Sequence, residues 1–310
     1  MTTDSPVTNH WTDRLPASVN KLVHRLAIAS LVSQIGIIVT GGAVRLTKSG
    51  LGCSQWPNCV PGSMTPVPEQ GIHGLIEFGN RMLTFVLVVI AVAFLLSIWR
   101  MRKTHKTLFG LSIALLAGIP AQAIIGGITV LTKLNPWVVS LHFIVSAAMV
   151  TAAALLVNRT GALRRGETSL GTPAGTTQQF LAWTILATSA LAIVLGTIVT
   201  GTGPHAGDAE SPRHMFDPYF VTRLHVVPVY LLVAATLISL FLAMRHAESK
   251  QLRTPLLLMA GVVILQGVIG YTQHFTGLPI LLVLFHMLGA SLLAAAAINV
   301  WDRATQKFPF

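Results

Sequence analysis

Apolar residues run along this chain in blocks of about twenty, at roughly 22–44, 74–99, 108–131, 137–157, 180–201, 222–244, 255–274 and 279–301, separated by polar breaks. At 1.5 Å rise per residue, ~20 apolar residues cover the ~30 Å hydrocarbon core of a bilayer. The pattern therefore predicts an all-α integral membrane protein with eight transmembrane helices. The most polar break, NRTGALRRGETSLGTPAGTTQ at 158–178, is rich in Gly, Thr and Arg. It divides the chain into a four-helix half at 1–157, a cytoplasmic linker at 158–178 and a second four-helix half at 179–310. The first twenty residues lack the basic, apolar and small-residue order of a cleaved signal peptide, so the first helix is expected to remain as an anchor.

The two halves echo each other. AQAIIGGITVLTKLNPWVVSLHF (121–143) lies against LQGVIGYTQHFTGLPILLVLFHM (265–287) without a gap, pairing Gln122 with Gln266, Gly126 with Gly270 and His142 with His286 at a constant offset of 144. A second echo sets IIVTGG, ending at Gly42, against TIVTGT, ending at Thr202, at an offset of 160. An even number of spans per half makes both halves enter the membrane in the same sense. The expected architecture is two parallel four-helix bundles related by a pseudo-twofold axis along the membrane normal.

Composition agrees with this class: 53% of residues are hydrophobic and 10% charged, against about a quarter charged in soluble domains. The net charge of +11 would suggest nucleic acid in a soluble protein, but its distribution gives another account. With both termini cytoplasmic, fifteen of the 21 Lys and Arg fall inside and six outside, which satisfies the positive-inside bias and favours anionic lipid as the partner. No nucleic-acid partner is expected, and the location that follows is a membrane, crossed many times with both termini cytoplasmic.

Of eleven histidines, three lie inside spans, His142, His225 and His286, all within about two turns of the outer end. Ionisable residues in a membrane are costly and mark sites. Facing histidines in a bundle supply both axial nitrogens of a haem iron, a role that suits His225 and His286. Adding 144 or 145 to Asn80 reaches Leu224 or His225, so in the first half an amide replaces the fourth histidine. Asn is a poor iron ligand, which leaves His142 as the one strong axial ligand there, with the opposite face open. A satisfied buried histidine is the plain alternative for each.

Glu77 stands three residues before Asn80 and shares its helical face. It is the candidate catalytic carboxylate, handling protons or stabilising positive charge; the alternatives are a pair with Arg81, four residues on, or snorkelling to the interface. Arg45, Arg81, Lys133 and Arg223 gather at outer helix ends, either for haem propionates or as interfacial residues. Glycines at 41, 42, 126, 127, 267 and 270 permit close approach of helices or of a flat macrocycle. Cys53 and Cys59 share one outer loop, LGCSQWPNCVPG, either as a disulfide staple or as a redox-active dithiol.

Taken together, TGGAVRLTKSGLGCSQWPNC, the IEFGNR segment, the histidines at 142, 225 and 286, the VTG echo and the eight-span duplication resemble the haem A synthase family over nearly the whole chain. The chain resembles the actinobacterial-type variant, with Asn in place of one axial histidine. The resemblance implies oxidation of a ring methyl of haem O, through hydroxylated intermediates, to the formyl group of haem A. It implies haem B (iron) held by His225 and His286, and haem O as substrate near His142 and Glu77. It also implies partners in a haem O synthase and in oxidase assembly factors. Two departures stand out: Asn80 occupies a position that is His in many members, and residues 202–221 lack the second cysteine pair that some members carry.

Three other classes compete. A dihaem b-type membrane electron carrier is built from the same bundles, but Asn80 removes one ligand from only one half. A transporter shares the parallel repeat, yet the chain lacks strongly interrupted paired helices at mid-depth. A prenyltransferase making haem O would carry an aspartate-rich motif for diphosphate and magnesium, which is absent here.

Overall fold

The computed structural model describes residues 11–167, 173–208 and 210–305. Residues 1–10, part of the expected linker, and Lys307 among the inside charges lie outside them. Eight helices in the described residues are long and apolar enough to cross a membrane: α1 (Lys21–Leu46), α2 (Gly71–Ser97), α3 (Lys106–Leu131), α4 (Pro136–Arg164), α5 (Thr176–Thr202), α6 (Pro218–Arg245), α7 (Arg253–Phe275) and α8 (Ile280–Thr305). The described residues contain no strand beyond an isolated bridge between Val60 and Ser63.

Local sequence sets the helix starts. The Asn20 side chain accepts from the N–H groups of Leu22 and Val23 at 3.0 and 3.1 Å, capping α1. Asn135 and Asp217 cap α4 and α6 through bonds to Trp137 N and Phe220 N, and each is followed by Pro at the first helical position, where its missing N–H costs nothing. The α3–α4 and α7–α8 connections repeat one turn at the offset of 144. Lys133 and Leu134 have φ of 52° and 60°, Gly277 and Leu278 have φ of 78° and 60°. Glycine adopts this left-handed region freely, whereas Lys133 holds it against its Cβ.

The same four pairings occur in each half: α1 with α2, α2 with α3, α3 with α4 and α1 with α4, matched by α5 with α6, α6 with α7, α7 with α8 and α5 with α8. Contacts of α4 with α8, α1 with α8 and α4 with α5 join the halves. One end of the molecule carries the Cys53–Cys59 loop; the other, where α1 begins and α8 ends, is the terminus end. Close-packed cores occupy the terminus end of both bundles, around Phe94, Leu108 and Leu156 in one half and Ile185, Leu256 and Val300 in the other. Ile38, Val150 and Ala294 fill the seam. Large apolar side chains such as Phe85, Val89, Phe180, Leu258 and Ile264 are exposed on the outside, as a lipid-facing surface requires.

The helices correspond one for one to the eight apolar blocks, with one notable difference. α4 runs to Arg164, seven residues past the expected end at 157, so the stretch between helices is 165–175 rather than 158–178. Asn158, Arg159 and Thr160 read as linker by polarity, but they are helical and packed inward: the Thr160 hydroxyl lies 3.0 Å from His24 Nδ1, and Arg159 pairs with Asp302 of α8.

Candidate functional site

Where the cores end, toward the disulfide end, small residues replace large ones and a cavity of about 1270 Å³ opens between the bundles. That exceeds the roughly 300–1,000 Å³ of a single small-molecule pocket. His142, His225 and His286 all line it, together with Asn80, Glu77, Arg45, Arg81 and Arg223, so of the side chains named from the sequence for ligand binding or catalysis all but Lys133 reach one space.

Each histidine is seated the same way. A glycine on the preceding helix faces its ring: a Cβ on Gly126 would stand 3.3 Å from His142 Cε1, one on Gly196 3.2 Å from His225 Cε1, and one on Gly270 3.4 Å from His286 Cε1. A side chain at Gly126 or Gly196 would crowd the imidazole by a few tenths of an ångström, and one at Gly270 would be in direct contact with it. On α3 and α7, four residues before two of these glycines, Gln122 and Gln266 donate from Nε2 to the backbone oxygens of His142 and His286 at 3.1 and 3.2 Å. Gln122 also donates to Ser146 Oγ at 2.6 Å, and the Ser146 hydroxyl donates to the His142 oxygen at 2.9 Å. The Nδ1 atoms of all three histidines are sealed in the protein, and the His225 ring meets the Ala192 backbone there, which leaves Nε2 as the accessible nitrogen.

These donors fit a metalloporphyrin better than a bare ion. No group of three or more His, Cys, Asp or Glu within metal-holding reach occurs among the described residues. A porphyrin brings its own four equatorial nitrogens and asks the protein only for axial ones, which single, glycine-backed imidazoles supply.

Asn80 occupies the fourth position differently. Its Oδ1 accepts from the Thr40 hydroxyl at 2.7 Å, and its Nδ2 lies 3.9 Å from where a Cβ on Gly41 would be. Glu77 is buried, with Oε1 accepting from Arg81 Nη2 at 2.6 Å and Oε2 from the Cys53 N–H at 2.7 Å. The pairing with Arg81 that the sequence offered as an alternative does form. Arg81 also donates to the backbone oxygens of Cys53, Gln55 and Asn58, so this guanidinium binds the loop to α2. Cys53 and Cys59 form a disulfide, both fully buried.

Arg45 donates from Nε to the His205 oxygen at 2.6 Å and from Nη2 to the Thr200 oxygen at 3.2 Å, tying α1 to the second half. Arg223 has no hydrogen-bond partner among the described residues and is exposed at the cavity rim. Lys133 sits in the α3–α4 turn outside the cavity lining.

Sequence reasoning missed four contributors. Trp56 lays its ring on Gly127 of α3 and roofs the first-half side of the cavity. Thr40 orients Asn80, and Gly196 backs His225. His214, in the loop between α5 and α6, packs on Gly201 and meets the Trp137 ring edge-on with centroids 4.3 Å apart. Burial, and then the Arg45 charge, hold the His214 pKa below the ordinary 6.5. Thr40 and Gly196 were within reach of the VTG echo; Trp56 and His214 carry no periodic signal.

Fold and site together define a polytopic helical membrane protein of two four-helix halves around one histidine-lined cavity. The chain belongs to the COX15-CtaA family of cytochrome oxidase assembly proteins, whose model matches residues 24–298. It is 29% identical over 280 residues to the haem A synthase of Bacillus pumilus, covering 84% of this chain and 88% of that protein. To the haem A synthase of Listeria monocytogenes it is 22% identical over 286 residues, 89% of this chain and 93% of that one. A shorter match to the enzyme of Lysinibacillus sphaericus reaches 30% over 142 residues, 44% of each.

Proposed function

We propose that this protein is a haem A synthase, an enzyme of the membrane that oxidises a ring methyl of haem O to the formyl group of haem A. The observation that carries this reading is the asymmetry of the cavity: three of four equivalent positions bear a glycine-backed histidine, and the fourth bears an amide. Two identical electron-transfer sites would need four strong ligands.

In this reading the halves are related by a pseudo-twofold axis, a relation supported by the matching helix pairings and repeated turns. The second half, 179–310, holds haem B between His225 and His286. The first half, 1–157, takes haem O on His142 beside Asn80. A haem held in the second half supplies one-electron redox chemistry next to the substrate. The protein's own residues do the rest. Gln122 and Gln266 fix the helix backbone at His142 and His286, so the imidazoles approach at a set angle. Trp56 keeps water from the first-half site. Glu77, fixed by Arg81 and the Cys53 N–H, keeps a negative charge at the substrate edge, where it stabilises positive charge or takes a proton. Arg223, whose donors are uncommitted, and Arg45 are the partners for propionates.

The charge distribution supports a disulfide end outside and both termini in the cytoplasm of a bacterium. Lateral entry from the lipid suits the farnesyl tail of haem O. Delivery from a haem O synthase and onward transfer to oxidase assembly factors complete the reading.

The test is to purify the protein from cells that make haem O and identify its extracted haems by mass. Haem B together with haem O, hydroxylated haem or haem A is expected; haem B alone, with the haem O source confirmed, would favour an electron carrier. In parallel, His286→Ala is expected to abolish the low-spin b-type spectrum, and an unchanged spectrum would remove His286 as a ligand.

A further inference from the structure

The four positions facing the cavity share one design, so the departure at position 80 can be read against the other three. His225 folds its ring over Gly196. The offset of 160 that relates the VTG echoes carries Gly196 back to Gly36 on α1, where a Cβ would meet nothing within 4 Å. The niche over this glycine is therefore unfilled in the first half, although Gly36 itself does not line the cavity as Gly196 does.

Asn80 does not reach into that niche. Its side chain turns toward Thr40, whose hydroxyl donates to Oδ1 at 2.7 Å, closer than the 3.1 and 3.2 Å separating the same hydroxyl from the backbone oxygens of Gly36 and Ile37. At an oxygen-to-oxygen contact the hydroxyl must be the donor, because a carbonyl oxygen has no proton to give. This contact fixes which way the amide faces. Nδ2, with two N–H groups, is left on the cavity side, and no hydrogen bond among the described residues engages it. Both Glu77 oxygens are already committed, to Arg81 and the Cys53 N–H, and Gln122 Oε1 has no hydrogen-bond partner among the described residues, Asn80 included.

We propose that Asn80 is a hydrogen-bond donor to a small ligand, with an oxygen atom at its outer end, bound on the iron of the substrate haem opposite His142. Thr40 is the positioning residue that orients it. The proposal rests on the reading that haem O binds in the first half. The cavity that Asn80, Gly41 and His142 line gives the ligand room, and the amide N–H polarises it, a stabilisation of the oxyanion-hole type supplied by one preset donor. A histidine at this position would instead occupy the iron.

The probe is carbon monoxide, added to the reduced protein after its haem O content has been confirmed by extraction. Carbon monoxide is expected to bind one haem in the wild type, with its stretching frequency lowered by the N–H contact. Asn80→Leu, which removes the donor at similar size, is expected to keep binding and to shift that frequency upward. Asn80→His is expected to give a six-coordinate low-spin haem and to lose carbon monoxide binding. A wild-type protein that holds haem O but refuses carbon monoxide would overturn the proposal alone, as would an Asn80→Leu protein with an unshifted stretch. Failure of the wild type to hold haem O, or full retention of its first-half spectrum in His142→Ala, would overturn the site reading and the proposal together.

Discussion

At the scale of single residues, Glu77 shows how packing fixes the carboxylate that we propose for the chemistry. A buried carboxylate is costly unless its oxygens are paired, and here both are, to Arg81 and to the Cys53 N–H. Through those two bonds it holds the disulfide loop against α2, which places Trp56 over the cavity. Glu77→Gln keeps an amide oxygen for one of the bonds but removes the charge. We expect the variant to keep its disulfide and bound haem and to lose product formation by on the order of 10²-fold, the size of effect seen when one stabilising group is removed from a site. Turnover measured against haem content checks this; wild-type turnover would reduce Glu77 to a loop clamp. The three cavity-lining histidines were legible from sequence because ionisable residues in an apolar run stand out. Thr40 and Trp56 were not, because a hydroxyl or an indole among apolar residues becomes informative only when the facing helix is known.

At the scale of elements, all eight helices were legible because twenty apolar residues have few alternatives in a bilayer. The exception was the end of α4, where hydropathy misread Asn158, Arg159 and Thr160 as linker. Polar side chains satisfied by tertiary partners look the same in sequence as solvated ones, and only the packing against α1 and α8 separates them. The loop between α5 and α6 gives the corresponding case for titration. His214 is buried between Gly201 and Trp137, close to Arg45, and is held neutral. Because its pKa is lowered on folding, the unfolded chain binds more protons just below 6.5. Stability from this loop is then fully present above 6.5 and is lost as pH falls toward the lowered value. Thermal unfolding of the purified protein, followed by tryptophan fluorescence from pH ~5 to ~7.5, is expected to show that loss, and His214→Phe is expected to flatten it. An unchanged slope in the variant would place the dependence on another group.

At the scale of the whole molecule, the question is what keeps two similar bundles in register so that one cavity serves both. At the disulfide end, Arg45 reaches the backbone of residues 200 and 205, and the Gly50 N–H donates to Gly207 at 3.2 Å. At the terminus end the join is a buried ion pair, Arg159 Nη2 to Asp302 Oδ1 at 3.1 Å, with the carboxylate side chain 2% exposed. The offset of 144 maps Asp302 onto Asn158 and Arg159 onto Arg303, so the equivalent pair across the seam has lost its acid. Among the described residues Arg159–Asp302 is the buried ion pair that links α4 to α8 at that end. Breaking a buried pair from one side strands the other charge and costs about 3–5 kcal/mol, whereas replacing both partners by apolar groups is often neutral. Asp302→Ala is accordingly expected to lower the thermal midpoint in detergent and to release haem, because the seam that positions the cavity loosens. The double variant Arg159→Met with Asp302→Leu is expected to recover most of both losses. If Asp302→Ala unfolds at the wild-type midpoint with its haem retained, the register of the halves is set at the disulfide end alone.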